Sequence, residues 1–447
     1  MFIDFLLERF EKCDTRDALI WYDQAFTYAW LAKATQGWID RLKTGGVQPS
    51  AVVSVESDFS PDSVAVILAL IEMGCCVVPL SRTLGPKAEK FKEVAQVEWA
   101  IELQAREEAT VTDCLRKATH PILTSLKAKG HPGLVLFSSG STGESKAAVH
   151  DFVPLLDKFK TTRPAIRSIA FLLFDHIGGV NTLLHIVSNG GCLVTVQDRS
   201  PDAVCATIQR HQVEVLPTSP TFINLILLSE AYRRHDLSSL QLVTYGTEVM
   251  PESTLRRFHE LFPDLRLQQT YGLSEVGILR SKSKSSDSLW VKIGGEGFET
   301  RVVNGLLEIK AQSAMLGYLN AKSPFTEDGW FITGDAVLVE GEYFQILGRV
   351  SELINVGGLK VYPAQVESVL QLMPNVHDVV VTGEPNPITG HIVKAKILLE
   401  TPEPLSSFRK RMREFCKGRL EPFMVPQSIL FSDKEFHGNR FKKMRKD

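Results

Sequence analysis

A run of small and hydroxylated residues follows directly after a short apolar segment in residues 134–146, which read LVLFSSGSTGESK. The apolar residues predict a buried strand, and Gly140 and Gly143 let the backbone turn and approach a ligand closely. Backbone N–H groups and hydroxyls can donate hydrogen bonds to phosphate oxygens, and Lys146 adds a mobile positive charge. The hydroxyls belong to Ser138, Ser139, Ser141 and Thr142. The loop therefore predicts a triphosphate site, although an ordinary Ser/Gly-rich surface turn has the same composition.

Two other phosphate-binding patterns do not fit this chain. Ser145 occupies the position directly before Lys146, where a Walker loop requires glycine. No GxGxxG motif follows a predicted strand either. The loop must therefore be interpreted together with the rest of the chain.

The composition is that of a globular protein with room for about two to four domains. The chain has 447 residues, 44% of them hydrophobic and 23% charged, and a net charge of −2, which gives no general attraction to nucleic acid or anionic membranes. The apolar stretch Val64–Ile71 is far shorter than the ~20 residues that a membrane span needs. The first residues, MFIDFLLERFEKCD, indicate an amphipathic helix rather than a signal peptide. Seven cysteines without a CxxC motif favour free thiols in the cytoplasm over a metal site.

Apolar strands and helices alternate through the first part of the chain. Ala51–Glu56, Pro61–Met73 and Cys75–Leu80 form a strand–helix–strand pattern, which predicts a parallel sheet. Residues 84–130 are expected to be irregular apart from a strand at Trp99–Leu103. The alternation continues to about residue 280 and predicts a large, doubly wound α/β body.

The pattern changes after residue 290. Short strands separated by turns, including Asn304-Gly305 and Glu340-Gly341, predict a small β-rich subdomain. Beyond Arg349 the pattern indicates a compact α+β unit. The predicted fold is thus α/β, with a large N-terminal body (1–348) that includes the β-rich subdomain and a smaller C-terminal α+β domain (349–447).

Four stretches in fixed order carry a family resemblance. They are SSGSTGESK (138–146), TYGLSEVG (270–277), GWFITGDAV (329–337) and GRVSELINVGGLKVYPAQVE (348–367). With GLLEIKAQSAMLGYLN (305–320), they resemble the adenylate-forming superfamily of acyl- and aryl-CoA synthetases, peptide-synthetase adenylation domains and luciferases. The resemblance covers nearly the whole chain. It implies that a carboxylate is joined to the α-phosphate of ATP with release of pyrophosphate, after which a thiol attacks the acyl-adenylate.

The resemblance also implies roles for single residues on the nucleotide side. Tyr271 would lie beside the adenine, Ser274 would bond the α-phosphate, and Glu275 would bind Mg²⁺ as a hard oxygen ligand. Asp335 would accept both ribose hydroxyls, and Arg349 would also reach the ribose and mark the domain junction. Core packing, helix-start and turn roles remain the structural alternatives for Tyr271, Glu275 and Asp335. The complete predicted nucleotide set is Ser138, Ser139, Gly140, Ser141, Thr142, Gly143, Lys146, Tyr245, Gly246, Thr247, Tyr271, Gly272, Ser274, Asp335 and Arg349.

For the acid and the thiol, the resemblance implies a pocket and a moving domain. His176 aligns with a residue that gates the acid pocket, although a helix-capping or core histidine would look the same. The pocket would be lined near residues 176–182, 220–225 and 245–249, which suits an apolar or aromatic acid. Ser351 falls at the family's hinge, about which the small domain rotates between the two half-reactions. Lys360 belongs to a loop that would then enter the site.

The C-terminal residues depart from the family pattern, which usually reads Gly-Lys-hydrophobic-x-Arg. Here they read HGNRFKKMRKD. If Phe441–Arg445 is the motif, Lys442 is the catalytic lysine and the glycine is lost, and we favour this alignment. If the preceding residues are the motif, Arg440 takes the lysine position. A basic solvated tail is the alternative to both.

The sequence as a whole predicts an ATP-dependent acid–thiol ligase that adenylates a fatty or aryl acid. Its expected cofactors are ATP, Mg²⁺ and CoA, or the phosphopantetheine of a carrier protein. A basic last helix could face CoA phosphates or an acidic carrier protein, although such faces are usually only solvated. A free-standing ligase that loads a carrier protein and a non-catalytic nucleotide-binding protein remain alternatives. Neither nucleic acid nor an integral membrane segment is expected.

Overall fold

The computed structural model describes residues 1–104, 109–139, 145–438 and 441–445. Five predicted residues lie outside these ranges: Gly140, Ser141, Thr142, Gly143 and Arg440. Of Ser139, only the backbone is described. Within these ranges, no helix combines the length and the apolar character needed to cross a membrane.

The helices of the described residues are numbered in chain order. They are α1 (Asp4–Lys12), α2 (Tyr28–Thr44), α3 (Pro61–Glu72), α4 (Lys87–Val94), α5 (Pro121–Lys129), α6 (Phe152–Asp157), α7 (Ile177–Ser188), α8 (Pro201–His211), α9 (Pro220–Ser229), α10 (Glu252–Leu261), α11 (Pro363–Leu370) and α12 (Leu405–Cys416).

The strands are numbered in the same way. Those of the N-terminal body begin with β1 (Asp17–Trp21), β2 (Gln24–Thr27), β3 (Val52–Glu56), β4 (Cys76–Leu80), β5 (Trp99–Glu102), β6 (Thr110–Asp113), β7 (Gly133–Ser139) and β8 (Ser145–Asp151). They continue with β9 (Arg167–Ile169), β10 (Cys192–Val194), β11 (Val215–Thr218), β12 (Leu242–Tyr245), β13 (Arg266–Gln269), β14 (Gly272–Leu273) and β15 (Gly277–Ile278). The remaining strands are β16 (Arg280–Ser283), β17 (Trp290–Gly294), β18 (Phe298–Val303), β19 (Leu306–Ala311), β20 (Gly317–Tyr318), β21 (Phe331–Glu340), β22 (Tyr343–Arg349), β23 (Ile354–Val356), β24 (Leu359–Val361), β25 (Val376–Asn386), β26 (Gly390–Leu399) and β27 (Ser428–Ser432).

The predicted α/β body contains two large sheets. One sheet has the strand order β20-β8-β7-β4-β3-β5-β6, and the other has the order β13-β12-β11-β9-β10-β1-β2. A hydrophobic cluster joins them, since it includes Val53 and Val77 of the first sheet and Leu19 and Leu193 of the second. The sequence analysis did not predict how many sheets the body contains, because strand alternation does not reveal where one sheet ends and the next begins.

Helix α3 shows how the sequence builds this core. Ser60 accepts a hydrogen bond from the backbone N–H of Ser63, whose side chain accepts one from the backbone of Ser60 in return, and Pro61 follows the cap. This capping box fixes the start of the helix. Nearly all of α3 is buried, as expected for a helix that is hydrophobic all round.

The expectation of irregular structure between residues 84 and 130 was wrong. Helices α4 and α5 and strand β6 lie there. Helix α4 was missed because it reads KAEKFKEV and buries only Ala88 and Lys92, so that it lacks an apolar stripe. Lys92 forms ion pairs with Glu56 at 2.7 Å and Glu89 at 2.5 Å.

The predicted β-rich subdomain is a sheet with the order β16-β17-β22-β21-β19-β18. Asn304 and Gly305 turn between β18 and β19 with φ angles of 53° and 79°, the left-handed conformation of a tight hairpin. In the hairpin of β21 and β22, Asp335 pairs with Arg349. The register of this hairpin therefore brings the predicted ribose residues together.

The C-terminal α+β unit has its own hydrophobic core. Strands β23 to β27 form one sheet, and α11 and α12 contribute Val366, Leu370, Phe408 and Met412 to its core. The overall fold class, with a large N-terminal body and a smaller C-terminal domain, is as the sequence predicted.

Candidate active site

Asp335 lies at the centre of a buried polar group. Its Oδ2 accepts a hydrogen bond from the Tyr271 hydroxyl at 2.5 Å, and its Oδ1 lies 3.3 Å from Nε of Arg349. Thr333 Oγ1 accepts the backbone N–H of Asp335 at 3.0 Å. Burial raises the pKa of the Asp335 carboxyl, against the opposing effects of Arg349 and Tyr271. Three of the predicted nucleotide residues thus meet in one contact group.

Glu275 forms a second polar contact with a residue to which the sequence had assigned no role. Its Oε1 accepts a hydrogen bond from the Tyr318 hydroxyl at 2.6 Å. Burial and the neighbouring carboxylate raise the pKa of Tyr318, so this hydroxyl stays protonated and can donate. Lys146 lies over the same ring, with Nζ at 5.4 Å from its centroid. Tyr318 therefore joins the predicted phosphate lysine to the predicted metal ligand.

Asn320 holds the strand that leaves the predicted phosphate loop. Its side-chain oxygen accepts the N–H of Ala147 and its amide group donates to the carbonyl of Ser145, both at 2.9 Å. On the entering side, Ser138 pairs with Lys146 across β7 and β8. The two strands thus fix both ends of the loop.

Tyr318 and Asn320 were missed as site residues. Both belong to the family-like stretch 305–320, which carried the resemblance without an assigned role. Strand β20 pairs with β8 through Tyr318 and Ala148, which explains why this distant segment reaches the site. The LGYLN sequence (316–320), which precedes the Gly-Asp motif, was the available signal.

The turn between β13 and β15 carries two further predicted residues. The carbonyl of Ser274 lies 2.5 Å from Nε2 of the buried His150. Because a carbonyl can only accept, Nε2 carries the proton. Burial lowers the pKa of His150, which favours its neutral form. At Gly272, an added Cβ would lie 2.8 Å from the backbone carbonyl oxygen of Gly277, so this turn requires glycine.

The end of β12 carries the predicted Tyr245, Gly246 and Thr247. Tyr245 is buried. A Cβ on Gly246 would lie 2.7 Å from the carbonyl oxygen of Thr270, and Thr247 has a φ of 72°. This tight turn presents the following residue, Glu248, to the C-terminal tail.

Glu248 is partly buried and receives hydrogen bonds from two directions. The hydroxyl of Thr221 donates to its Oε2 at 3.0 Å, and the backbone N–H of Lys443 donates to the same atom at 2.8 Å. Burial raises its pKa, while these bonds and the charge of Lys442 oppose that shift. Lys442 thus lies in the electrostatic field of Glu248. Neither Thr221 nor Lys443 was a predicted site residue.

The C-terminal tail, defined here as residues 441–445, bridges the body and the C-terminal domain. Ser219 Oγ donates to the carbonyl of Phe441 at 2.6 Å. Lys443 Nζ lies 3.1 Å from Oδ1 of Asp378, and the guanidinium of Arg445 lies 2.7 Å from Oε2 of Glu367. Both acidic residues belong to the C-terminal domain. These anchors fix the backbone on either side of Lys442.

The structure gives His176 a capping position and Lys360 an exposed position in a hairpin. His176 is the N-cap of α7, where its Nδ1 accepts the N–H of Gly178 at 3.0 Å. His176 is therefore a helix-capping residue through its Nδ1 atom, as the alternative to a pocket gate predicted. Lys360 is exposed in the β23–β24 hairpin, opposite Asn355. Its role in a loop that enters the site stays a prediction.

The polar groups suit Mg²⁺ bound together with substrate phosphates. No cluster of three or more histidine, cysteine or acidic side chains suitable for a metal exists within the described ranges. Mg²⁺ typically uses one or two carboxylates, waters and substrate phosphates, and does not need such a cluster. Glu275, a single carboxylate close to Tyr318 and thus to Lys146, fits this requirement.

Known sequences and structures resemble this chain over almost its whole length. Residues 7–304 match the family described as AMP-binding enzyme, and residues 365–441 match the AMP-binding enzyme C-terminal domain. An indoleacetate–CoA ligase of Aromatoleum aromaticum is 24% identical over 97% of this chain and 94% of its own. A 2-succinylbenzoate–CoA ligase of Bacillus licheniformis is 26% identical over 96% of both chains. The crystal structure of an anthranilate CoA ligase in complex with anthranoyl-AMP superposes with a TM-score of 0.81 at 20% identity, covering 98% of this chain and 95% of that one.

Proposed function

The chain belongs to the AMP-binding enzyme family and is an AMP-forming acid–thiol ligase, and from this premise we propose the roles of its residues, its acid and its acceptor. The central observation is the contact group of Tyr271, Asp335 and Arg349. A buried carboxylate with a guanidinium at its side is suited to accept the two hydroxyls of a ribose.

ATP would lie between this group and the loop after β7. Lys146 would pair with the outer phosphates, and Ser274 would bond the α-phosphate. The proximity of Lys146, Tyr318 and Glu275 supports this orientation, because positive charge and an ion-binding carboxylate would meet the same phosphate chain. Mg²⁺ held by Glu275 would neutralise phosphate charge in the transition state.

The acid would lie beside Phe222, Tyr245 and His176, with its carboxylate towards the α-phosphate. Phe222 and Tyr245 are almost fully buried, which supports an apolar or aromatic acid. The relatives act on indoleacetate and 2-succinylbenzoate, according to their names. We propose an aryl acid first and a fatty acid second.

Lys442 would bridge the acid carboxylate and the α-phosphate during adenylation. Its backbone neighbours are fixed by Ser219 and Glu248 of the body, which supports delivery of the lysine to the site. The domain boundary would lie at 348/349, with Ser351 as the hinge. Rotation about it would withdraw the tail and bring Lys360 to the site for the thiol step.

CoA is the proposed acceptor, in line with the names of the relatives. A carrier protein is the second candidate, because α12 carries Arg409, Lys410, Arg411 and Arg413 and could dock an acidic domain. We further propose a cytoplasmic location. All seven cysteines lie in the described ranges as free thiols, which suits a reducing compartment.

The test is pyrophosphate release from ATP and Mg²⁺ with a panel of aryl, fatty and amino acids, with and without CoA. Release with an aryl or fatty acid, and a CoA thioester detected by mass spectrometry, is the expected result. Release without a thioester would favour the carrier-protein acceptor. Release with amino acids alone would contradict the proposed acid class.

A further inference from the structure

We infer that Phe441 is a specificity-determining residue that closes the acid pocket from the C-terminal tail and limits the size of the acid during adenylation. This inference rests on the proposed function, because it concerns the same pocket. It adds to the pocket of the N-terminal body a wall that the C-terminal domain supplies.

The first argument is the packing of the Phe441 ring. Its centroid lies 5.4 Å from that of Phe171 and 5.0 Å from that of Phe222, the latter in an edge-to-face arrangement. Both partners are almost fully buried in the body. Phe441 also packs against the hydrophobic cluster that contains Tyr245. The ring therefore packs against Phe222, a residue of the predicted acid pocket, and against the cluster that contains Tyr245, whereas a solvated tail would leave it exposed.

The second argument is the backbone conformation. Phe441 has a φ of 50°, a conformation that costs a bulky side chain free energy and that glycine adopts readily. In the alignment that makes Lys442 the catalytic lysine, Phe441 occupies the position of the family's glycine. A large ring at a position that favours glycine points to a function for the ring itself.

The third argument is that the ring is held on several sides. The stacked imidazole of His437 lies 5.6 Å away, and the guanidinium of Arg199 lies 5.8 Å from the ring centroid. Ser219 binds the carbonyl of Phe441.

Arg199 also lines a cavity of about 550 Å³ together with Trp21, Phe59 and Leu173. Removal of the ring would leave space beside Phe222. Arg199 would border both this space and the cavity.

A wall supplied by the tail would act in only one half-reaction. It is in place while the tail is docked on Ser219 and Glu248, and rotation of the C-terminal domain would withdraw it. The size limit should therefore apply to adenylation and should disappear when the thioester is formed from a supplied acyl-adenylate.

The experiment compares the wild type with Phe441→Gly, which removes the ring and suits the observed φ, and with Phe441→Leu, which keeps an apolar side chain. Pyrophosphate release is measured for aryl acids of increasing length, from benzoate to phenylbutanoate, and thioester formation is measured from the corresponding adenylates. Phe431→Ala, at a partly exposed site on β27, is the matched control. Thermal unfolding checks that each variant is folded.

We expect Phe441→Gly to raise the ratio of kcat/KM for long over short acids about tenfold in adenylation and to leave that ratio unchanged in thioester formation. Phe441→Leu should give a ratio between those of the wild type and Phe441→Gly, and Phe431→Ala should give the wild-type ratio. A uniform loss with all acids, or the same shift in both half-reactions, would overturn the inference. A wild type that releases no pyrophosphate with any acid would instead contradict the proposed function on which the inference rests.

Discussion

At the scale of single residues, Asp335 connects two segments of the site that lie far apart in the sequence. Tyr271 bonds one of its oxygens and Arg349 lies beside the other. Because burial disfavours the charged carboxylate, these partners are needed to keep it available as an acceptor. The residue is thus sensitive to changes in charge as well as in shape.

We predict that Asp335→Asn, which keeps the shape but removes the charge, raises KM for ATP about tenfold, since a hydrogen bond to a charged group contributes roughly 1.5–3 kcal/mol. KM for the acid should change little. Tyr271→Phe, which removes only one hydrogen-bond donor, should have a smaller effect. Pyrophosphate release measured against ATP concentration provides the check, and an unchanged ATP dependence of Asp335→Asn would remove this residue from the ribose site.

The adjacent lysines 442 and 443 provide a matched pair. We predict that Lys442→Ala lowers adenylation by at least about a hundredfold, leaves thioester formation from supplied acyl-adenylate unchanged, and lowers the free energy of unfolding less than Lys443→Ala does. Lys443→Ala should instead destabilise the protein by about 3–5 kcal/mol, because it removes the partner of the buried Asp378. Half-reaction assays and urea unfolding separate the two. The reverse pattern would show that the alignment of the tail is wrong.

The sequence analysis singled out Tyr271, Asp335 and Arg349, which the structure brings into contact, but it gave no role to Tyr318 and Asn320. Tyr271, Asp335 and Arg349 stand in motifs with fixed neighbours, and the structure brings them together. Tyr318 lies in a two-residue strand and Asn320 shortly after it, and the LGYLN sequence contributed to the family resemblance without indicating which contacts these side chains make. Their positions depend on the pairing of Tyr318 with Ala148, a long-range register that cannot be deduced from local periodicity.

At the scale of elements, Lys158 ties the end of α6 to α7 and β15. Its Nζ donates to Oδ1 of Asn181 at 2.6 Å and to the carbonyl of Ile278 at 3.1 Å. Burial, with a smaller contribution from Arg163 and Arg280, lowers the pKa of Lys158 to about 8. These two bonds hold a positive charge in an environment that disfavours it.

This lowered pKa predicts a pH dependence of stability. Between pH 8 and the ordinary lysine range, the unfolded chain binds the proton more tightly than the folded one, so the contribution of Lys158 to stability rises with pH in this window. At pH 7 the lysine is charged in the folded and the unfolded chain, so the folded protein bears the full free-energy cost of burying this charge. Lys158→Met should therefore be more stable relative to the wild type at pH 7 than at pH 10, by about 1–3 kcal/mol. Urea unfolding of both proteins at the two pH values measures the difference, and a difference independent of pH would contradict the lowered pKa.

At the scale of the whole molecule, the C-terminal domain is docked on the body through several contacts. Besides the tail, Ser253 of α10 and Ser368 of α11 meet with their Oγ atoms 3.2 Å apart. Lys360 is exposed in this arrangement. The docked tail and the exposed Lys360 are what the proposed adenylation state requires.

A disulfide at this contact would test the proposed rotation. In the double variant Ser253→Cys/Ser368→Cys, oxidation should lock the domains together because the two side chains already touch. We expect the oxidised protein to keep adenylation and to lose thioester formation about a hundredfold, with recovery on reduction. The oxidised wild type is the control, and mass spectrometry verifies the bridge. Full thioester formation by the bridged protein would show that the domains need not rotate.

The broad organisation of the molecule could be predicted because each region has its own order of strands and helices. The division of the body into two sheets could not. Strand β1 joins the second sheet by pairing with β10, with Leu19 opposite Leu193, and nothing in the local sequence of either strand specifies a partner about 170 residues away.

This pairing has a consequence for the order of folding. At a synthesis rate of about 5–20 residues per second, strand β1 leaves the ribosome roughly ten to thirty seconds before β10 exists. During that time the β1–β2 hairpin has an unpaired edge, and an isolated hairpin is only marginally stable. The first strand of the chain therefore waits through the synthesis of about 170 further residues before its parallel partner exists, and a chaperone would have a long opportunity to bind the nascent N-terminal segment during that time.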